Sequence, residues 1–455
     1  MTMTEDLSHG PSWHAAHLRS TTTSDLTTLE GAFAAVEERT SSLSDRIAAR
    51  YHAMAPAPGR VDQPVSADGT VAPPHLPDGR WIYKAVLYTA GGLVVDGRDA
   101  RDFDDERTAF LADLGRDLRK DGLTVGHIAA AGQAVSRALC AEFDQPWPGP
   151  DITYQRAENL GIPAGLTELL QVVDFGVRVV AIGSAEDDEA GIPATVGAEV
   201  TDVQRRAPHI TVVRLDGGRR AGGKTGWPGQ FLEVRTPADP DRWQLLATAL
   251  PPNPDGLLEF HLHHPVDEPL RVHTGETWVL ANPTGALDLP ADESRGVVML
   301  AIGSGLAALR CLLLDISSRP SHPQVHLYWE AEHRDDLHEL VGVLSLAGAF
   351  DWLTVTPVVS GGPGDPSGQA RTAWHGTQDA TRFYSYAHPA EDILAMGEPF
   401  RSGTAAATAV ADGTWRNRRV LIAGDDSAAG RAAVKDAVHV LTAAGADPDA
   451  ITAEP

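Results

Sequence analysis

VVMLAIGSGLAAL, Val297 to Leu309, runs from a continuous apolar stretch into a glycine turn and then into residues of helical spacing. The unbroken apolar run from Val297 to Ile302 predicts a strand buried on both faces. Gly303-Ser304-Gly305 turns the chain, and the missing side chains at Gly303 and Gly305 permit close backbone approach. A corner of this kind can set helix-terminal N–H groups against a pyrophosphate. It also serves as an ordinary tight strand–helix turn.

Downstream the alternation continues. LAALRCLLLDI predicts a helix, QVHLYWEAE a second strand, HRDDLHELVGVL a second helix and LTVTPVV a third strand. After an insertion at 361–415, RRVLIAG predicts a fourth strand, followed by the helix AAGRAAVKDAVHVLTAAG. Strands alternating with helices build a parallel sheet, so 296–455 reads as an α/β domain.

Upstream, residues 191–292 carry six short β-type runs: ATVGAEVTDV, HITVVRL, GQFLEVRT, WQLLATAL, GLLEFHLHH and ETWVLANP. Gly, Pro and Asp separate them and no helical pattern intervenes, which predicts a six-stranded antiparallel barrel. Residues 25–185 differ again. Leu29, Phe33, Val36 and Leu43 recur at helical spacing, and so do WIYKAVLYTAGGL, ERTAFLADLGRDLRK and VGHIAAAGQAVSRALCAEF. A last long helix is expected over roughly 166–182. Residues 1–24, polar and rich in Ser and Thr, are expected to be disordered.

The 455 residues suit about three domains. A net charge of −25 opposes phosphate backbones and anionic lipid, so nucleic acid and bare membrane are not expected partners. Two cysteines, Cys140 and Cys311, are too few for a disulfide scaffold, a Cys-based zinc site or an iron–sulfur cluster. No signal-like start or membrane-length apolar run occurs, and the expected location is the cytoplasm.

The turn at Pro228-Gly229 in GWPGQFLEVRT, followed some 70 residues later by the glycine turn, puts barrel before sheet. That order resembles the ferredoxin–NADP reductase superfamily, whose barrel carries FAD and whose sheet carries NAD(P)H. With LEGAFAAVEERTSSLSDRIAARYHAMAP and FLADLGRDLRKDGLTVGHIAAAGQAVSRAL in front, residues 25–455 resemble a flavohaemoglobin. The resemblance implies a globin-like domain, an FAD-type barrel and an NAD(P)-type α/β domain.

At the chemistry-bearing positions the chain departs from that family. The proximal haem histidine is replaced by Leu118, in Leu118-Arg119-Lys120-Asp121-Gly122, and leucine has no lone pair for iron. The distal tyrosine falls at Ala48. His127 and His52 read as surface or helix-end histidines rather than substitute ligands, while Phe110, Leu111, Leu114 and Leu118 form one apolar stripe. The family's flavin motif Arg-x-Tyr-Ser becomes Arg242-Trp243-Gln244-Leu245, with the aromatic moved to the opposite strand face. In HHPVDEPLRVH, Asp267 and Glu268 would repel the FAD pyrophosphate, offset only by Arg271. A literal Arg382-Phe383-Tyr384-Ser385 sits in the insertion and reads as coincidence.

In the nicotinamide half Gly303, Ser304 and Gly305 match the family turn, with Ala308 for its proline. Ala423-Gly424-Asp425 stands for Cys-Gly-Pro, and Glu454 matches the penultimate acid, without the aromatic that covers the flavin. His261 and His263 share a strand face but have no carboxylate at ligand spacing; with His264 they read as solvated histidines rather than a metal site.

Two functional classes follow. One is a cofactor-degenerate relative without haem and with weak or no FAD, acting as a regulatory, scaffold or ligand-sensing protein toward a protein partner or small ligand. The other is an FAD-dependent NAD(P)H oxidoreductase with an unknown acceptor, in which Arg242, Trp243, Gly303, Ser304, Gly305 and Glu454 bind cofactor. Nitric oxide dioxygenase activity would need an axial ligand that Leu118 cannot supply.

Overall fold

The computed structural model describes residues 25–73, 105–218, 226–265, 268, 270–285, 287–289, 295–361 and 400–454, save the side chains of Glu106 and Asp335. These fall into two compact units, 25–62 with 73 and 105–195, and 63–72 with 196–454. The stretch WIYKAVLYTAGGL, residues 1–24 and Arg382-Phe383-Tyr384-Ser385 lie outside the described residues.

The first unit is helical: α1 (Leu29–Glu37), α2 (Thr40–Met54), α3 (Asp105–Leu118), α4 (Val125–Glu142), α5 (Tyr154–Asn159) and α6 (Ala164–Glu189). Side-chain caps start several of them: Thr28 Oγ1 accepts from Gly31 N–H before α1, and Thr153 from Arg156 N–H before α5. A short 3-10 turn at Arg119–Asp121 follows α3, and Gly122 ends it in the left-handed region at φ 76°. The apolar faces meet in one core holding Leu29, Phe33, Val36 and Leu43, the stripe Leu111, Leu114 and Leu118, and Leu166 and Leu170 from α6.

Helix α6 extends past the expected 182 to Glu189. Four acidic residues, Glu186 to Glu189, at its C-terminal end oppose the helix dipole, which is why periodicity stops short of them. Arg116 and Arg119 compensate: Arg116 Nη2 lies 2.8 Å from Glu186, and the buried Arg119 reaches Asp187 at 3.0 Å and Asp188 at 2.6 Å.

The second unit opens with β1 (Val196–Ala207), β2 (Ile210–Asp216), β3 (Phe231–Thr236), β4 (Asp239–Ala247), β5 (Leu257–His263) and β6 (Thr277–Thr284). These are the six expected strands, antiparallel in the order β4-β3-β6-β1-β2-β5. An isolated bridge between Thr248 and Phe260 joins the two edges and closes the barrel. Its interior is packed with Val200, Val213, Leu215, Leu232, Phe260, Trp278 and Leu280.

The parallel sheet takes β7 (Val297–Ile302), β8 (Val325–Ala331), β9 (Leu353–Val359), β10 (Arg401–Ser402), β11 (Arg419–Ala423) and β12 (Ile451–Glu454) in the order β10-β9-β8-β7-β11-β12. Among the described residues, the helices that cover it are α7 (Leu306–Ser317), α8 (Leu340–Ala349), α9 (Ala405–Asp412) and α10 (Ala428–Ala443). The segment read as insertion therefore returns to the fold before 415. β10 pairs with β9, and the buried Ala405, Ala406 and Ala409 of α9 join the core under Val298, Leu300 and Tyr328. A two-residue strand and an alanine-rich helix carry too little pattern to separate them from a loop. No helix among the described residues is long and apolar enough to cross a membrane.

Candidate functional site

Strand order reverses between β7 and β11, and the crevice beyond their carboxyl ends is where open α/β sheets take ligands. A cleft of about 350 Å³ lies there, walled by Ser304, Ala307 and the 424–428 turn on one side and by Phe231, Gln244 and β5 on the other. The two halves of the turn in VVMLAIGSGLAAL have different reasons for glycine. Gly303 sits at φ 57°, with only Asp425 Oδ2, at 3.6 Å, near the place a Cβ would take. A Cβ on Gly305 would meet the Ala423 carbonyl oxygen at 2.2 Å, so Gly305 is demanded by helix-to-strand packing. Ser304 lines the cleft and is buried.

The flavin-type residues of β4 divide between its faces. Arg242 lines the cleft but is more than half exposed, and its Nε is 2.9 Å from Asp239 Oδ2. Trp243 points to the other face, buried with Val279 and Ala281 beneath the Arg235 guanidinium, 4.2 Å above its ring. Arg242 and Gln244, on either side of Trp243, line the cleft, and Leu245 follows them into its wall. The strand thus brings no aromatic ring to the cleft, and these residues do not fit an isoalloxazine in the manner the resemblance implies.

Acid and base alternate on the opposite wall. Asp425 Oδ1 accepts from Ser427 N–H at 2.9 Å, Ser427 Oγ caps α10 at Gly430 N–H, and Asp426 pairs with Arg431. The N-terminus of α10 is thereby already served by side chains of its own segment. Glu454 pairs with Ala423 across β12, and its carboxylate lies against Gly285 in the loop after β6. Glu268 and Arg271 are both exposed, and Asp267 is outside the described residues.

The histidines of β5 differ from expectation. His263 is exposed, but His261 and His264 are buried. His264 Nε2 lies 3.0 Å from Thr211 Oγ1, and burial lowers its pKa. His261 Nε2 lies 3.3 Å from Glu259 Oε1, and its Nδ1 lies 3.0 Å from His338 Nε2. Alternation along β5 predicts a wet face, but the chain following β8 brings His338 onto it at His261, while His263 stays exposed. Burial alone would raise Glu259; the hydrogen bond and charge of His261, with Arg214 and Arg310, pull its pKa down to about 2. Among the described residues no group of three or more His, Cys, Asp or Glu is placed to hold a metal ion.

In the helical unit Leu118 is fully buried in the core with Leu111 and Leu114. Haem iron needs an axial lone pair, and neither Leu118 nor the half-buried Ala48 offers one. His52 is exposed. His127 is at a helix end, as expected, but is buried rather than on the surface: with Thr124 it forms the capping box of α4, its Nδ1 taking the Thr124 N–H at 3.1 Å. Among the described residues, those at the expected ligand positions do not fit haem ligation. A pocket of about 130 Å³ between α4 and α6 is lined by Gln133, Ser136, Trp147 and Asp174 and is smaller than the roughly 300–1,000 Å³ typical of cofactor sites.

No family model matches the chain. Over 183 residues it is 27% identical to the anthranilate 1,2-dioxygenase electron transfer component of Acinetobacter baylyi, covering 38% of this chain and 51% of that protein. Over 181 residues it is 28% identical to the xylene/toluene monooxygenase electron transfer component of Pseudomonas putida, covering 38% and 50%. The chain thus spans about half the length of these relatives. Among solved structures, a flavohaemoglobin from Malassezia yamatoensis with bound FAD and haem superposes with a TM-score of 0.55, at 12% identity, over 94% of this chain and 99% of that one. By fold the chain is flavohaemoglobin-like, a globin-type helical unit followed in the same chain by a ferredoxin reductase-type module.

Proposed function

We propose that this is a flavohaemoglobin-fold protein that works without haem and holds FAD weakly or not at all, as a regulatory, scaffold or ligand-sensing protein of the cytoplasm. Leu118 carries the reading. The position that would present an imidazole nitrogen to iron is a fully buried aliphatic, packed with Leu111 and Leu114 as part of an ordinary core. Changes in the second unit point the same way, since Trp243 is folded under Arg235 and Arg242 is occupied by Asp239. The cleft remains, and its size suits a small ligand. Free, buried thiols at Cys140 and Cys311 accord with a reducing compartment.

A second reading, an FAD-dependent NAD(P)H oxidoreductase with an unknown acceptor, is favoured by the position of the Gly303-Ser304 turn at the strand-order reversal. Similarity to two electron transfer components supports it too. Of the residues expected to bind its cofactor, Arg242 and Ser304 line the cleft and Gly303 and Gly305 flank Ser304, with Glu454 at the end of β12, whereas Trp243 faces away and would not take part.

An absorption spectrum of the purified chain, repeated after incubation with haem and with FAD, separates the readings. The expected spectrum has no Soret band and no retained flavin. A Soret band overturns the haem-free reading, and tightly held flavin bleached by NAD(P)H establishes the oxidoreductase.

A further inference from the structure

Three buried groups in the reductase-type module form a line that none of the cofactor readings uses. His338 Nδ1 faces the Asp336 carbonyl oxygen at 3.1 Å, and its Nε2 faces His261 Nδ1 at 3.0 Å. His261 Nε2 then faces Glu259 Oε1 at 3.3 Å. Both ends of the line, a carbonyl and a carboxylate, only accept. Three contacts therefore need three hydrogens, yet two neutral imidazoles bring one each. With an ionised Glu259 the line is complete only when one ring is an imidazolium. With neutral rings, one contact becomes two lone pairs facing each other between buried side chains.

We propose that Glu259, His261 and His338 form a one-proton site that fastens barrel strand β5 to the 336–338 segment of the α/β half, closed when the two rings share one extra proton and loosened when it leaves. The line joins the two halves of the module at the cleft, because His261, Leu262 and His263 belong to the cleft wall. Surrounding charge allows the proton to be lost as well as held. Glu259 on the same strand favours it, but Arg214 of β2, at 2.7 Å, and Arg310 of α7, at 3.1 Å, share that carboxylate. Arg206 of β1 faces the line as well and is matched by Glu339, 3.2 Å away at the start of α8. From β8 comes the uncharged Trp329, edge-on to His338 at 5.6 Å. Across the cleft lie Arg242 and Arg431 with Asp425 and Asp426. Burial and the neighbouring His261 hold His338 well below the ordinary histidine range.

The test uses the full chain labelled with 15N-histidine. Two-bond 1H–15N correlations at about pH 6 are expected to show one buried ring protonated on both nitrogens and hydrogen-bonded to a neutral one, and two neutral rings by about pH 8.5. Hydrogen exchange, corrected for intrinsic rates, is expected to rise about tenfold over the same range in peptides covering 257–263 and 334–340, the loss of one charge-assisted hydrogen bond. Glu259→Gln sharpens the test, because the amide N–H₂ can donate to His261 Nε2 and complete the line with two neutral rings. The variant is expected to show no imidazolium and no exchange step. Two neutral rings at pH 6 in the native chain, a measurement that needs no variant to fold, overturn the proposal. So does an exchange step unchanged in Glu259→Gln.

Discussion

A Cβ on Gly115 of α3 would stand 1.9 Å from the carbonyl oxygen of Val180 on α6, so the two backbones touch where the glycine lies. The contact is reciprocal: a Cβ on Gly183 of α6 would stand 2.1 Å from the carbonyl oxygen of Ala112 on α3. Gly115→Ala should gain helix propensity yet lose stability, by about 1–3 kcal/mol, because backbone rather than a flexible side chain must give way. Urea unfolding of the variant checks this. A rise in stability would mean that the helices can part freely.

Leu118 should behave as a core residue and not as a remnant lining an empty site. It is fully buried with Leu111 and Leu114, so Leu118→Ala is expected to lower unfolding free energy by about 2–5 kcal/mol. Leu118→His, which restores the family's ligand type, should also destabilise, since it sets an imidazole among aliphatic side chains, and should produce no Soret band with added haem. A near-neutral alanine variant, or a histidine variant that binds haem, would show that the core keeps room for the cofactor.

How far these features were legible depends on how each is encoded. The six barrel strands and the alternation after Val297 are long-period apolar patterns, and they were readable. Leu118 was legible as a substitution within a familiar frame. The last turn of α6 is not, since four acids at a helix end make sense only beside Arg116 and Arg119, some 70 residues away, which pair three of them. The burial of His261 is not legible either, because alternation along β5 says which side chains share a face but not what lands on that face. Its partner His338 comes 77 residues later, from a segment whose pattern predicts a plain helix.

Acid sensitivity should have a part traceable to His326. Burial, helped by Arg418, pushes its pKa down to about 4, while its ring stacks on Tyr328 at 4.2 Å and its Nε2 meets Thr356 Oγ1 at 2.8 Å. The folded chain keeps this ring neutral down to about pH 4, whereas the unfolded chain protonates it near the ordinary value of about 6.5. Between these values the unfolded state binds more protons, so stability falls as pH drops from 6.5 toward 4. His326→Gln should flatten that limb, read as urea midpoints at pH 7, 5.5 and 4.5. A variant with the native slope would place the sensitivity elsewhere.

The two glycines of the cleft turn should respond oppositely to substitution. Gly303 needs a left-handed backbone and has open space at its Cβ position, so Gly303→Asn, a residue that adopts that conformation, is expected to change stability by less than about 1 kcal/mol. Gly305 has ordinary backbone angles, but its Cβ position is filled by the Ala423 carbonyl and the Gly424 nitrogen at 2.2 and 2.6 Å. Gly305→Ala must push α7 away from β11 and should cost about 1–3 kcal/mol or more, with a clear fall in thermal midpoint. Because the same movement shifts Ser304, any ligand of the cleft should bind Gly305→Ala less well than Gly303→Asn. Equal stabilities for the two variants would return Gly305 to the role its motif first suggested, room for a ligand's close approach and not for the fold's own backbone.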